Sequence, residues 1–314
     1  MRIFENAQFD FWGNRRRGMM ISGAFIIIAA ISLIYPGLEA GIDFKGGTEI
    51  VVESDTAIPP GEARAALDAR LGAGTEVKEY GSPEELLVRT TSTTGDASAI
   101  SATVLGTLGD SFAGSNPRAI RTDAVGPRFA EDLQRDALFA VFGSLFVILL
   151  YIFIRFDWRY ALGAVAALTH DVFIVLGLFA LVHDLTPVTL MIDQAIIAAV
   201  LTIVGYSIND TVVVFDRIRE YAQLFKTEPF EVVANRAINS TLSRTILTSV
   251  TTMIVVLILF IFGGEVLRGF SLSLILGIAI GTYSSIFVAS PIVILLRQKY
   301  GAGAPSLRAT AAAR

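Results

Sequence analysis

Six apolar stretches, each about as long as a bilayer-spanning helix, dominate this sequence. A helix needs about 20 apolar residues to cross the hydrocarbon core of a membrane. Hydrophobic residues make up 53% of the chain and charged residues 17%, whereas soluble domains average about 25% charged residues. The polar helix faces that a large soluble core would require are missing between these stretches. The sequence therefore predicts an α-helical polytopic membrane protein with spans at residues 19–36, 137–154, 160–182, 192–215, 245–262 and 270–296.

Positive charges near the span ends predict the orientation, because cytoplasmic loops are enriched in Lys and Arg. One set of loops and both termini hold most of them, namely Arg15, Arg16, Arg17, Arg155, Arg159, Arg217, Arg219, Lys226, Arg236, Arg297 and Lys299. The loops on the other side, 183–191 and 263–269, together hold only Arg268. We therefore expect both termini in the cytoplasm.

The predicted spans and orientation divide the chain into four parts. The first span is longer than the core of a signal peptide, which has about 7–15 residues, and Gly37-Leu38-Glu39-Ala40 after it is a poor small-x-small cleavage site, so we expect a retained anchor. The parts are a cytoplasmic N-terminus with helix one at 1–36, an outer domain at 37–136, helices two to six at 137–300, and a cytoplasmic tail at 301–314.

The outer segment has the pattern of a small α+β domain. We predict strands at 41–53, 75–80, 85–91 and near 118–125, and helices at 62–71 and about 97–109. The order β-α-β-β-α-β is that of the ferredoxin-like split motif. Its acidic residues are scattered without a catalytic constellation, so a solvated surface explains them.

Charge and cysteine content exclude several classes of function. Residues 37–136 carry 9 Lys+Arg against 17 Asp+Glu, a net −8, and the rest carries 16 against 12, a net +4. Nucleic-acid binding favours a basic surface, so we expect no nucleic-acid partner. The chain has no cysteine and two histidines, which excludes disulfides and leaves little basis for a metal site. We expect no cofactor.

Polar residues inside three predicted spans are the candidate functional groups. A charge in the middle of a bilayer costs at least about 3 kcal/mol, so intramembrane charges usually serve a function. Span three contains His170-Asp171, and span four contains Asn209-Asp210-Thr211. Span five begins with the polar residues Ser240, Ser243, Arg244, Thr245, Thr248, Ser249, Thr251 and Thr252.

Residue counting places Asp210 and Arg244 at a similar depth. Asp210 is 17 residues after Asp193, the expected outer end of span four, and Arg244 is 19 residues before Gly263, the expected outer end of span five. At 1.5 Å per residue these separations are roughly 26 and 28 Å. Because a buried carboxylate either binds a proton or finds a cation, we predict that the two groups pair near the cytoplasmic side.

Other interpretations of these residues remain open. Arg244 is also consistent with a side chain that snorkels to the cytoplasmic surface, and Asp210 with a structural polar group at a helix interface. For His170-Asp171, a structural interhelical hydrogen bond and part of a proton path are equally consistent with the sequence. In span six, the spacing Gly277-x-x-x-Gly281-x-x-x-Ser285 favours close helix packing. Candidates to line a hydrated route to Asp210 are Thr202, Ser207, Thr248 and Thr252.

Several motifs together give a family resemblance that covers nearly the whole chain. These are Gly41-Ile42-Asp43-Phe44-Lys45-Gly46-Gly47-Thr48, Ala161-Leu162-Gly163-Ala164 with His170-Asp171-Val172, Val204–Glu220 around Asn209-Asp210, and Leu242-Ser243-Arg244-Thr245. They resemble the SecF branch of the SecD/SecF family of protein-export membrane proteins, within the resistance–nodulation–division superfamily. Lys45 occupies a position where related sequences often have another residue.

The resemblance implies a function and a set of partners. It implies a subunit of an accessory complex of the Sec translocon that uses the proton-motive force in late protein translocation across the bacterial cytoplasmic (inner) membrane, with residues 37–136 in the periplasm. The implied partners are SecD as a heterodimer, the SecYEG channel, YajC and the unfolded polypeptide in transit, in a lipid membrane. In the family, residues matching Asp210 and Arg244 belong to a proton-conducting centre that a SecD carboxylate completes.

The candidate proton-relay residues are therefore Asp210, Arg244, Asn209, Asp171 and His170. Our hypothesis is that Asp210 alternates between an ionised form held by Arg244 and a protonated form, while Arg244 keeps its charge. Protonation would let spans four and five repack and tilt the outer domain.

Three rival functions are consistent with a polytopic helical chain. An intramembrane aspartyl protease would need Asp171 and Asp210 close enough to share a proton, but the sequences around them differ from the Tyr-Asp and Gly-x-Gly-Asp contexts of such enzymes. We therefore expect no enzymatic activity. A scaffold that stabilises SecD without handling protons would tolerate substitution of both Asp210 and Arg244. A small-molecule exporter would need a cavity that one six-span unit does not supply.

Overall fold

The computed structural model describes residues 7–72, 75–91, 96–185 and 190–300. In chain order the helices are α1 (Arg15–Ile34), α2 (Ile42–Lys45), α3 (Pro60–Leu71), α4 (Ala97–Ser111), α5 (Pro127–Arg155), α6 (Trp158–Leu185), α7 (Gln194–Leu224), α8 (Phe230–Phe262), α9 (Gly264–Ser284) and α10 (Ser290–Tyr300), with a π-helical turn (Ser285–Ala289) joining α9 to α10. The strands are β1 (Gly47–Glu53), β2 (Glu76–Tyr80), β3 (Ser82–Thr90) and β4 (Arg118–Val125).

Six helical segments of the described chain are long and apolar enough to cross a membrane, which confirms the predicted number of spans. They are α1, α5, α6, α7, α8 and the continuous α9–π–α10 segment. Asp193 and Gly263, which were used for depth counting, are confirmed as helix ends. Asp193 caps α7, because its carboxylate accepts a hydrogen bond from the backbone N–H of Ile196 at 2.8 Å, and Gly263 follows the last residue of α8.

The segment between α1 and α5 is an α+β unit with the predicted β-α-β-β-α-β order. Its four strands form an antiparallel sheet in the order β2-β3-β1-β4, so β1 lies between two strands that are distant in sequence, as in the split motif. A core that includes Ile50, Val88 and Leu67 packs α3 and α4 against one face of the sheet. Asp96 caps α4, and the backbone N–H of Ala99 holds the pKa of this carboxyl below its usual value.

The predicted strand at 41–53 is wrong in its first part, because Ile42–Lys45 form the short helix α2. The change to strand geometry occurs at two glycines with positive φ, 72° at Gly46 and 129° at Gly47. Both values are disfavoured for residues with a Cβ. At Gly47 a Cβ would also lie 2.5 Å from the carbonyl oxygen of Thr90. The glycine pair therefore ends α2 and lets β1 approach β3.

Backbone hydrogen bonds join the α+β unit directly to the start of α7. Gly41 N–H donates to the carbonyl oxygen of Ile192 at 2.8 Å, and Ile192 N–H donates to that of Glu39 at 2.7 Å. The carboxylate of Asp43 accepts from the N–H of Gln194 at 3.1 Å. The first turn of α7 is thus held to the chain that leads into β1.

Helix α9 lies at the centre of the membrane bundle and packs against α6, α7 and α8. The small-residue face predicted in span six is confirmed: a Cβ on Gly277 would overlap Ile203 of α7, and one on Gly281 would lie 3.1 Å from Ser207. Helices α5 and α8 lie at the edge of the bundle, and large apolar side chains such as Phe146 and Ile261 are exposed on them. The packing leaves these two helices available to lipid or to another subunit.

Candidate functional site

Asp210 lies where three helices meet, and hydroxyl groups bind both of its carboxylate oxygens. The residue belongs to α7 and is 7% exposed. Thr245 of α8 donates to its Oδ1 at 2.8 Å, and Ser285 of the π turn donates to its Oδ2 at 2.6 Å. The Ser285 bond has the length of a hydroxyl-to-carboxylate hydrogen bond, and the Thr245 bond has the length of an ordinary hydroxyl hydrogen bond. The site is therefore a carboxylate that the protein solvates with side-chain hydroxyls.

Asp171 forms a second carboxylate centre on α6 and is fully buried. Its Oδ2 accepts hydrogen bonds from Ser207 of α7 at 2.6 Å and Ser284 of α9 at 2.7 Å. Its Oδ1 lies 2.9 Å from Nδ1 of His170. This arrangement satisfies the carboxylate with three polar neighbours on three helices.

His170 connects Asp171 to a stack of aromatic rings. Its ring lies against Tyr283, with centroids 6.4 Å apart, and Tyr283 stacks on Phe287 at 5.2 Å. The Tyr283 hydroxyl donates to the carbonyl oxygen of Gly18 in α1 at 2.6 Å. The other ring nitrogen of His170, Nε2, is buried and has no hydrogen-bond partner among the described residues.

The two carboxylates are connected through adjacent residues. Ser284, the last residue of α9, binds Asp171, and Ser285, the first residue of the π turn, binds Asp210. Among the described side chains no hydrogen bond joins the two aspartates directly, and each has its own donors. This differs from a protease dyad, in which two carboxylates share one proton.

Arg244 is exposed, and among the described residues no ion pair joins it to Asp210. The direct contact that depth counting predicts is therefore not formed, and the neighbouring residue Thr245 makes the contact instead. Depth counting gives the level along the helix axis but not the direction, and consecutive residues of an α-helix point about 100° apart. Arg244 still interacts with Asp210 electrostatically through space.

The other predicted polar residues separate into buried and exposed groups. Asn209 is exposed beside Asp210. Of the four residues suggested to line a route, Ser207 binds Asp171, whereas Thr202, Thr248 and Thr252 donate to carbonyl oxygens of their own helices. No group of three His, Asp or Glu side chains in the described ranges comes together to hold a metal.

Sequence reasoning missed Tyr283 and Ser284 and assigned Ser285 to packing alone. The sequence contains a pattern from which these residues could have been predicted, because four polar residues, Thr282-Tyr283-Ser284-Ser285, follow one another in an apolar span. Thr282 also takes part in the polar core: its Oγ1 lies 2.6 Å from Ser249 Oγ, which accepts from the Tyr206 hydroxyl at 3.2 Å.

Comparison with known proteins places these features in one family. The family model described as protein export membrane protein SecD/SecF, C-terminal, matches residues 106–299, and the SecD/SecF GG motif matches residues 36–58, around the glycine pair at the start of β1. The GG-motif match includes α2 and most of the junction between α1 and the sheet.

Full-length relatives and a solved structure agree with this match. The chain is 56% identical to protein translocase subunit SecF of Rhodothermus marinus, over 96% of this chain and 97% of the relative. It is 42% identical to SecF of Magnetococcus marinus, over 94% of each. The crystal structure of SecDF from Thermus thermophilus matches with a TM-score of 0.82 and 35% identity. That match covers 95% of this chain, which spans 40% of the SecDF chain. The protein therefore belongs to the SecD/SecF family of protein export membrane proteins, on its SecF branch.

Proposed function

We propose that this subunit acts with SecD to use the proton-motive force for protein translocation, and that Asp210 is the proton carrier. The observation that carries the proposal is a buried carboxylate in a spanning helix, bound by two hydroxyls and without an ion pair among the described residues. Intramembrane carboxylates of this kind commonly serve proton relays. Moving one charge across 100 mV yields about 2.3 kcal/mol, enough to bias a conformational equilibrium.

The proposed orientation places both termini in the cytoplasm and the α+β unit, within residues 37–136, in the periplasm. The distribution of Lys and Arg supports it. Residues 1–36 and 137–300 then form the membrane part, and 301–314 a cytoplasmic tail. Protons from the periplasm would need a hydrated path to Asp210, which lies at the middle of α7.

SecD is the proposed partner in the membrane. The match to a SecDF structure, of which this chain spans 40%, supports it. The exposed Arg244 lies 19 residues before Gly263, well inside α8, where a charge facing lipid is costly. We infer that a SecD carboxylate neutralises it. Contacts with SecYEG, YajC and the exported polypeptide are proposed from the family resemblance.

The proposed coupling runs along α7. Protonation of Asp210 weakens its attraction to Arg244 and its hydrogen bonds to Thr245 and Ser285, so α7 repacks against α8 and α9. The first turn of α7 is bonded to the entrance of the α+β unit through Ile192 and Asp43. A tilt of α7 would therefore be transmitted to the unit that we place in the periplasm, biasing an emerging polypeptide outward.

The test is proton-driven export in inverted membrane vesicles that contain the chain assembled with SecD. We expect Asp210→Asn to assemble normally and to lower the proton-driven component of export by about 100-fold or more, within the range that loss of an essential proton-transfer group produces. Asp216→Asn is the matched control, because Asp216 lies on the same helix but is half exposed and pairs with Arg155.

Export by Asp210→Asn at the wild-type rate would overturn the proposal. If Asp210→Asn and Arg244→Met both retained full activity while loss of the whole chain abolished it, the chain would be a scaffold for SecD.

A further inference from the structure

Two serine hydroxyls at the junction of α9 and the π turn each have two hydrogen-bond acceptors. Ser285 Oγ lies 2.6 Å from Asp210 Oδ2 and 3.0 Å from the carbonyl oxygen of Thr282. Ser284 Oγ lies 2.7 Å from Asp171 Oδ2 and 3.2 Å from the carbonyl oxygen of Gly281. A hydroxyl has one hydrogen to donate and two lone pairs that accept, so its full donation goes to one acceptor at a time.

The local sequence explains why the helix is distorted here. Pro291 has no backbone N–H and its ring clashes with the carbonyl four residues earlier, so it interrupts regular α-helical bonding. Both the backbone N–H and the hydroxyl of Ser290 bond to the carbonyl oxygen of Ser285, five residues earlier. These bonds fix the π turn that begins at Ser285, and π turns of this kind frequently occur at functional sites.

The π turn lies between the helices that carry the two aspartates. It packs against α6 and α7, which is why Ser284 reaches a carboxylate on α6 while Ser285 reaches one on α7. Ser284, Ser285 and Ser290 are all fully buried, so water does not compete for their hydroxyls. The titratable groups that the packing brings to this turn are Asp171, His170, Asp210, Tyr283 and, through space, Arg244.

We propose that Ser285 is a positioning residue whose hydroxyl switches acceptor with the protonation of Asp210. With Asp210 ionised, the Ser285 hydroxyl donates to Oδ2. When a proton binds Oδ2, the hydroxyl turns about its Cβ–Oγ bond, donates to the Thr282 carbonyl and accepts from the new carboxyl O–H. Asp210 gains one proton in this step, and both hydroxyl hydrogens, that of Ser285 and that of the new carboxyl group, have an acceptor.

This switch rests on the proposed role of Asp210 as proton carrier and explains how one site serves both of its forms. Leaving a buried donor without a partner is unfavourable, which would penalise one protonation state in a site with fixed donors. The Thr282 carbonyl removes that penalty. Because Ser284 and Ser285 are consecutive, a displacement of the turn at one carboxylate moves the donor of the other.

The experiment measures proton-driven export in vesicles that contain the full chain and SecD, for a series at position 285. Ser285→Ala is expected to lower the rate about tenfold, Ser285→Thr to restore it to within about twofold of wild type, and Ser285→Cys to lie between them, since a thiol is a weaker donor of similar size. Ser271→Ala is the matched control, because Ser271 is equally buried on α9 but donates only to the carbonyl oxygen of Leu267.

Each outcome of the series decides between a switch and a purely structural role. Equal rates for Ser285→Ala and wild type would overturn the inference, as would equal impairment of the Thr and Ala variants. If Ser285→Ala fails to assemble with SecD, the export rates of the Cys and Thr variants still test the switch, because the weaker donor Cys should give the lower rate. Asp210→Asn is measured alongside. An inactive Asp210→Asn with a fully active Ser285→Ala contradicts the switch alone, and a fully active Asp210→Asn contradicts both the switch and the proposed function.

Discussion

Asp171 and Asp210 are both buried in the membrane bundle, yet their surroundings differ in a way that assigns them different roles. Asp171 is fully buried and has three polar neighbours, one of them His170. Asp210 has two hydroxyl donors and lies beside the exposed Asn209. We expect a carboxylate that is fully buried among donors to keep one form, and one that lies beside an exposed residue to exchange protons more readily. We propose from this comparison that Asp171 organises the core, which fits the proposed role of Asp210 as the proton carrier.

The largest expected effect on stability comes from removing the carboxylate at position 171. Asp171→Leu leaves Ser207 and His170 without their acceptor, while Ser284 can turn to the Gly281 carbonyl. Because each buried donor left without an acceptor costs about 1–3 kcal/mol, we expect a loss of roughly 3 kcal/mol in the free energy of unfolding. Thermal unfolding of the purified complex in detergent measures it.

The matched variant Asp210→Leu is expected to be more stable than Asp171→Leu. In this variant only Thr245 loses its hydrogen-bond acceptor, because Ser285 has the Thr282 carbonyl as a second acceptor. If the two leucine variants lost equal stability, the assignment of the structural role to Asp171 would be wrong.

A large effect on rate without loss of stability is expected at Arg244. Because this side chain is exposed in the isolated chain and has no described ion pair, Arg244→Met should leave folding unchanged while lowering proton-driven export by about tenfold or more. The reason is that the ionised form of Asp210 loses its nearby positive charge. Arg236→Met serves as the control, since Arg236 lies on the same helix and pairs with Glu228.

The smallest expected effect comes from His170. His170→Phe keeps a ring against Tyr283 but removes the nitrogen 2.9 Å from Asp171. We expect a loss of about 1 kcal/mol in stability, the usual contribution of one hydrogen bond, and an export rate within about threefold of wild type. A much larger loss of rate with unchanged stability would instead place His170 in the proton path.

The sequence predicted the membrane fold well because its signals are local. Span length and hydropathy do not depend on tertiary contacts. Asp193 marked the start of α7 through its capping side chain, and Gly263 lies directly after α8. The α+β unit followed from strand and turn patterns in the same way. Helix α2 was missed because Ile42 and Phe44 alternate as in a strand, and only the geometry of Gly46-Gly47 shows where the strand begins.

The site was predicted less completely, for reasons that are also physical. Residue counting gave the correct level for Asp210 but could not distinguish Arg244 from Thr245, which differ by about 100° around α8. The two serines at the carboxylates depend on the π turn, which Ser290 and Pro291 produce together with packing against α6 and α7. The spacing of small residues therefore predicted the close packing at Gly277 and Gly281 correctly. It did not predict that Ser285 also bonds to Asp210.

The most direct test of the account is proton uptake by liposomes that contain this chain and SecD, driven by an imposed membrane potential and followed with an internal pH-sensitive dye. We expect Asp210→Asn to abolish uptake, whereas Asp171→Asn, whose amide oxygen still accepts from Ser207, retains uptake within about tenfold of wild type. Wild-type uptake by Asp210→Asn, or loss of uptake in Asp171→Asn alone, would contradict the assignment of Asp210 as the carrier.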